Sequence, residues 1–186
     1  MNQRIYLIGY RGTGKTSVAK ILADLLAAPC VDLDRVIETS AAQSIRQIFE
    51  VGGEPAFRDW ESKCLEEVIR NHEVGVVALG GGTILRESNR DRIRATGACI
   101  WLTADVKTLA SRIQSDADSA QTRPALTDLS FEQEIASVMA KREPLYRQSA
   151  DHVVSTEDKL PPQIAGEILE WYRQGKIAEE KPPATD

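Results

Sequence analysis

The run Gly9-Tyr10-Arg11-Gly12-Thr13-Gly14-Lys15-Thr16 fits the pattern GxxxxGK[ST], a spacing whose chemistry is the holding of a polyphosphate. The glycines let successive backbone N–H groups turn inward around phosphate oxygens. Lys15 puts a point charge at the β and γ phosphates, and Thr16 offers a hydroxyl to Mg²⁺. A second set of groups is suited to an acceptor. Asp32 and Asp34 end a short apolar run, Gly80-Gly81-Gly82 follows another, and Arg58, Arg123 and Arg142 stand apart from one another along the chain. Phosphoryl transfer to a small alcohol needs a carboxylate near the γ-phosphate, positive groups to balance charge in transit, and a flap that excludes water. Asp34 suits the first task and Arg123 the second. Arg58 and Arg142 would suit an anionic acceptor, above all a carboxylate that takes paired N–H bonds from a guanidinium.

These residues need elements to hold them. Ile5-Tyr6-Leu7-Ile8 reads as a strand entering the phosphate loop, and Ser17 to Leu26 carries helical apolar spacing behind it. Cys30 to Asp34 is expected to be a short strand; if it persists to its end, Asp32 and Asp34 face one cleft. Helical patches follow over Arg35–Glu50, with Ser44 as a cap, before Gly52-Gly53 interrupts. A longer helix runs from Glu54 to about Asn71. Gly75 to Leu79 is a continuous apolar run, as expected of a strand covered on both faces. It ends in glycine where many phosphate-loop proteins carry a metal-supporting acid, which leaves Asp32 as the candidate for that task. Three consecutive glycines also let a ligand approach backbone N–H groups.

Further alternation comes from helix Ser88–Ala95, strand Ala98–Leu102 and helix Val106–Ile113. Gln114 to Thr122 is polar and precedes Arg123-Pro124, as in a flap. A helix over Phe131–Ala150 should kink or restart at Pro144. Strand Asp151–Ser155 and a helix from Pro161 to about Arg173 complete the pattern, and the tail from Gly175 reads as disordered. Strands alternating with helices predict a parallel sheet covered on both sides, with ligands beyond the strands' carboxyl ends.

The chain has 186 residues and 42% hydrophobic side chains, enough for one domain with a substantial core. Its formal charge is −5 without a dense basic run, so no nucleic-acid footprint is expected. Cys30, Cys64 and Cys99 lack disulfide or zinc spacing and read as reduced core thiols. No apolar run approaches the ~20 residues needed to cross a bilayer. A soluble, cytoplasmic protein without membrane partners is expected.

From Arg4 to about Trp171 the chain resembles the shikimate kinase family. The resemblance is carried by GYRGTGKT (Gly9 to Thr16), DLD (Asp32 to Asp34), SIRQIFEVGGEPAFRDWE (Ser44 to Glu61), GGG (Gly80 to Gly82), RP (Arg123, Pro124) and KREPLYR (Lys141 to Arg147). It implies a three-layer α/β fold of P-loop NTPase type: a five-stranded parallel sheet with helices on both faces, a lid over about 114–126 and an acceptor-binding helical segment over about 33–61. One kinase domain would span 1–175, with 176–186 as a disordered tail and a monomer as the working form. The implied reaction moves the γ-phosphoryl of ATP to the 3-hydroxyl of shikimate, in aromatic amino-acid biosynthesis. By position, Asp34, Arg58, Gly81 and Arg142 would bind shikimate, with Gly80 and Gly82 shaping the pocket. Gly12, Thr13, Gly14, Lys15, Thr16 and Ser17 would surround ATP, with Arg123 on its phosphates. Thr16 would hold Mg²⁺, with Asp32 behind it. Arg112, Lys159 and Pro161 align by spacing with adenine-side positions. Two departures are Ala42, where the family commonly has glycine, and a polar flap longer than the shortest family versions.

Two other readings stay open at this level: a related kinase for another anionic alcohol such as gluconate or a nucleoside monophosphate, and a nucleotide-dependent binding protein without turnover. Among the remaining residues, Arg58 has acids at i−4 and i+3, Glu54 and Glu61, as helix partners. Arg11 reads as a local ion-pair or cleft residue, Arg147 as solvated. Trp60, Trp101 and Trp171 read as core, His72 and His152 as structural.

Overall fold

The computed structural model describes residues 4–71, 73, 75–115 and 130–180, the last five of these as backbone only. Five parallel strands, β1 (Arg4–Ile8), β2 (Cys30–Asp32), β3 (Val76–Ala78), β4 (Gly97–Thr103) and β5 (His152–Ser155), lie in the order β2-β3-β1-β4-β5. Between them run α1 (Lys15–Leu26), α2 (Leu33–Ala41), α3 (Ile45–Arg70), a 3₁₀ turn (Thr83–Leu85), α4 (Glu87–Thr96), α5 (Val106–Ser115) and α6 (Phe131–Ser149), and α7 (Pro161–Glu180) is the last described element. The expected alternation is present.

The period of two along a strand divides the core into layers. Ile5 and Leu7 of β1 pack with Val18, Leu22, Ile164 and Ile168 from α1 and α7. Tyr6 and Ile8 face the other way, onto Leu33, Ile37, Phe57 and Leu65 from α2 and α3. Register places the ends of β1, β2 and β3 side by side, since Leu7 pairs with Ala78 and Asp32 pairs with Ala78 on the other flank. The loop after β1, the acids at the end of β2 and just beyond it, and the glycines after β3 therefore open at the carboxyl-terminal end of the sheet.

Several boundaries differ from the sequence reading. β2 stops at Asp32, because its carboxylate accepts from the Asp34 N–H at 3.1 Å and caps α2. Asp34 is thus in the first turn of a helix, and does not share a strand face with Asp32. Ser44 caps α3 in a reciprocal box with Gln47, as expected, and Gly53 breaks the helical backbone with φ 66° and ψ −170°. Helix α6 has no restart at Pro144. Pro144 is exposed and only removes the bond to the residue 140 carbonyl, itself on the solvent side. Helix α7 reaches Glu180, past the expected end near Arg173, so the tail is helical that far; 181–186 lie outside the described residues. Cys64 and Cys99 are buried, but Cys30 is exposed, because β2 is an edge strand. Among the described residues no helix is long and apolar enough to cross a membrane.

Ala42 closes α2 in the left-handed region, at φ 51° and ψ 32°, with its N–H on the carbonyls of Glu38 and Thr39. A β-carbon is strained there, which is why glycine is favoured at such a position. Ala42→Gly is expected to stabilise the fold by about 0.5–1 kcal/mol, read as a rise in Tm of about 1–4 °C. An unchanged or lower Tm would contradict this.

Candidate active site

A cavity of about 320 Å³ opens at that end of the sheet. The phosphate loop contributes Arg11, Gly12 and Gly14 to Ser17; Asp32, Asp34, Gly80, Gly81 and Arg112 complete its polar wall. The loop's shape follows from its glycines. Gly9, Gly12 and Gly14 have φ of 141°, 83° and 82°, and a β-carbon on Gly9 would stand 2.4 Å from the Leu102 carbonyl oxygen. Thr13 is buried and turns inward, its hydroxyl donating to the Tyr10 carbonyl at 2.8 Å. Gly14 caps α1 without any side-chain bond, which leaves the helix's first N–H groups facing the cavity mouth. The Lys15 ammonium folds back over the loop, donating to the Gly9 and Tyr10 carbonyls at 2.9 and 2.8 Å.

Thr16 donates its hydroxyl proton to Asp32 at 2.6 Å, so the hydroxyl's lone pairs stay turned elsewhere. Asp34 stands beside Gly80: a β-carbon on that glycine would come within 2.8 Å of both Asp34 Oδ1 and Glu61 Oε1. Bare backbone at position 80 is therefore a condition for seating two carboxylates at this end of β3.

Arg58 lies on α3 just after the Gly53 break, almost wholly buried. It donates to Glu61 at 2.6 Å and to Glu54 at 2.9 and 3.2 Å, and its guanidinium covers the Phe57 ring at 5.1 Å. Both partners anticipated for it are engaged at once. Glu61 is completely buried and also accepts from the Thr83 hydroxyl at 2.6 Å. Burial pushes the Glu61 carboxyl up, the Arg58 charge and the Thr83 hydroxyl draw it part of the way back, and the Asp34 charge adds to the rise. For Arg58, burial opposes the charged form but Glu61 and Glu54 outweigh it, and the guanidinium is held above its usual value. A β-carbon at Gly82 would strike that guanidinium at 2.3 to 2.5 Å, so the third glycine is required by packing.

From α6, Arg142 donates to the Gly81 carbonyl at 3.2 Å, and the Tyr146 hydroxyl donates to the same oxygen at 2.5 Å. Arg112 bridges from α5 to Thr156, at 2.9 and 2.8 Å, and reaches the Gly12 carbonyl at 3.4 Å. Lys159 pairs with Glu167 at 2.6 Å and, like Pro161 at the start of α7, is not part of the cavity wall. Arg11 approaches Glu134 at 3.9 Å beside the Tyr10 and Phe131 rings. Arg123 and residues 116–126 of the expected flap lie outside the described residues, while Gln114 and Ser115 end α5. Trp101 is core, His152 stacks on Trp171 at 4.9 Å, and His72 lies outside the described residues.

The cavity thus joins a polyphosphate cradle to a carboxylate, while Arg58, Gly82 and Arg142 are bound to neighbouring structure and are not among its wall residues. Three contributors were not given roles from sequence: Glu61 as a buried hub, Thr83 and Tyr146. Glu61 was visible only as a helix neighbour of Arg58.

A family model described as "Shikimate kinase" matches residues 11–173. A curated relative, the shikimate kinase of Rhodopirellula baltica, is 50% identical over 167 residues, covering 90% of this chain and 89% of that protein. The "Shikimate kinase 2" of an Enterobacter strain is 38% identical, with 93% and 97% covered. Among solved structures, shikimate kinase from Acinetobacter baumannii in complex with shikimate superposes with a TM-score of 0.87 at 32% identity, covering 94% of this chain and 95% of that one. A gluconokinase from Sinorhizobium meliloti, at TM-score 0.60 and 15% identity over 97% of this chain and 98% of that one, shares the fold alone.

Proposed function

The chain belongs to the shikimate kinase family, and from that premise we infer that its cleft transfers the γ-phosphoryl of ATP to the 3-hydroxyl of shikimate, giving shikimate 3-phosphate and ADP. The observation that carries the reading is that Asp34 and the phosphate loop line one cavity. Asp34 takes the proton of the acceptor hydroxyl as the oxygen–phosphorus bond forms. Lys15 and the N–H groups at the start of α1 stabilise the phosphate charge, and Arg123 adds charge from the lid over about 114–126. Arg58 and Arg142 hold the acceptor's carboxylate, within the acceptor-binding segment over about 33–61 and on α6. Arg112 and Lys159 serve the adenine side.

Two oxygen donors, the Thr16 hydroxyl and the Asp32 carboxylate 2.6 Å from it, suit a hard divalent cation at the cavity wall. Thr16 would ligate Mg²⁺, with Asp32 orienting the hydroxyl through its proton. When bound, the cation would neutralise charge on the phosphate oxygens. The reading also takes one chain, over 1–175, as the working unit in the cytoplasm.

The test is ADP release with and without shikimate, beside gluconate and nucleoside monophosphates. Shikimate is expected to stimulate it. Faster turnover of another acceptor would reassign the substrate, and ATP binding without any stimulation would leave a binding protein. Arg142→Ala is expected to raise the shikimate KM about 10- to 150-fold, the equivalent of ~1.5–3 kcal/mol for a charge-assisted contact, with the ATP KM unchanged. Arg58→Ala should do the same and also lower Tm, since Glu61 loses its counter-charge inside the protein. An unchanged acceptor KM in both would contradict their placement.

A further inference from the structure

The turn from Gly80 to Thr83 is closed by the Thr83 N–H on the Gly80 carbonyl at 3.1 Å, and two hydroxyl groups fasten it to its surroundings. On one side the Tyr146 hydroxyl donates to the Gly81 carbonyl, whose other donor is Arg142. Both lone pairs of that oxygen are thereby engaged, which fixes the plane of the Gly81–Gly82 peptide and the direction of its N–H. Tyr146 is buried and stacked on Trp101 at 5.7 Å, so its ring offers the hydroxyl from a fixed seat in the core.

On the other side the Thr83 hydroxyl donates to Glu61 Oε1 at 2.6 Å, and Arg58 donates to Glu61 Oε2 at 2.6 Å. One buried carboxylate is therefore divided between the turn and the arginine, and sets the distance from one to the other. Gly82 abuts the same guanidinium, with no room for a β-carbon. Asn89, also fully buried, holds the exit of the turn through its amide on the Thr83 carbonyl at 3.1 Å.

We propose that Thr83 and Tyr146 are positioning residues for the acceptor, two hydroxyls that hold the glycine turn, Arg58 and Arg142 in one preset arrangement. The inference rests on the reading of this cleft as the shikimate site. Neither hydroxyl belongs to the phosphate loop, so the nucleotide should not sense their loss. A ground state without them must spend binding energy on ordering the turn, and that loss falls on the acceptor alone.

The experiment compares Tyr146→Phe, Thr83→Val and Thr83→Ser with the unaltered chain, reading KM for shikimate and for ATP together with Tm. Phe and Val keep the shape and remove one hydroxyl each. Each is expected to raise the shikimate KM at an unchanged ATP KM, Tyr146→Phe by about three- to ten-fold, the scale of one neutral hydrogen bond, and Thr83→Val by about ten-fold or more, the scale of a bond to a charged carboxylate. Thr83→Ser, which keeps the donor, should restore the unaltered value. Variants with the unaltered shikimate KM, or with both KM values rising together, would overturn the inference. If Tyr146→Phe fails to fold, the Val and Ser pair at position 83 decides by the same criteria. An unaltered chain that does not turn over shikimate would overturn the reading of the cleft and this inference with it; an active one with indifferent hydroxyl variants overturns the inference alone.

Discussion

Asp34→Asn is expected to lower kcat with shikimate by about two to four orders of magnitude, the usual contribution of a positioned proton acceptor, while ATP binds as before. The amide keeps the shape of the side chain at the Gly80 contact but cannot take the hydroxyl proton. The variant also separates chemistry from folding. Asp34 raises the Glu61 carboxyl through like-charge repulsion, so neutralising it relieves a buried neighbour, and Tm should hold or rise. Steady-state turnover, a fluorescent-nucleotide titration and a melting curve check the three parts. Ordinary turnover would remove Asp34 from the proton-accepting role.

The second large effect concerns stability. Glu61→Ala leaves Arg58 buried with the half-exposed Glu54 as its remaining ion-pair partner among the described residues, and strips the Thr83 hydroxyl of its acceptor. Breaking a buried ion pair from one side costs about 3–5 kcal/mol, which for a chain of this size lowers Tm by about 6–20 °C. Replacing both partners, as in Arg58→Met with Glu61→Leu, should recover most of that loss, because no charge is then stranded in the core. The double variant should fold and still bind shikimate poorly. A melting series over Arg58→Met, Glu61→Leu and the double measures the coupling directly. Near-additive losses would mean that Arg58 and Glu61 do not depend on each other, against the contact described.

The phosphate loop was legible in the sequence because everything it needs is contiguous: three glycines at positive φ, a lysine and a threonine within eight residues, and flanking periodicities that switch from strand to helix. The parallel sheet was legible for a related reason, since β3 and β4 are apolar on both faces. The DLD stretch was misread at its end. A three-residue strand stopped by its own last carboxylate looks, in sequence, like a five-residue strand, although an acid just before a helical Leu33, Val36, Ile37 period was an available capping signal. Exposure of Cys30 could not be read, because which strand lies at the edge is a property of the assembled sheet. The hub at Glu61 depends on Thr83, 22 residues away, and the pin at Tyr146 on Gly81, 65 residues away. No local pattern carries such separations. Lys159, matched by spacing, is held in an ion pair with Glu167, which the spacing gave no means to foresee.

Arg4 opens β1, yet its guanidinium donates to the carbonyls of Ile69 and Asn71 at 2.7 and 2.8 Å, where α3 runs out. The strand that delivers the phosphate loop and the helix that delivers Arg58 are thus fastened at their far ends by one side chain 65 residues from its partner. Local fraying at that junction would release both, so the two should belong to one cooperative opening unit. In native-state hydrogen–deuterium exchange, amides of β1 and of the last turns of α3 would then share an opening free energy, and removal of the Arg4 guanidinium would lower protection in both at once.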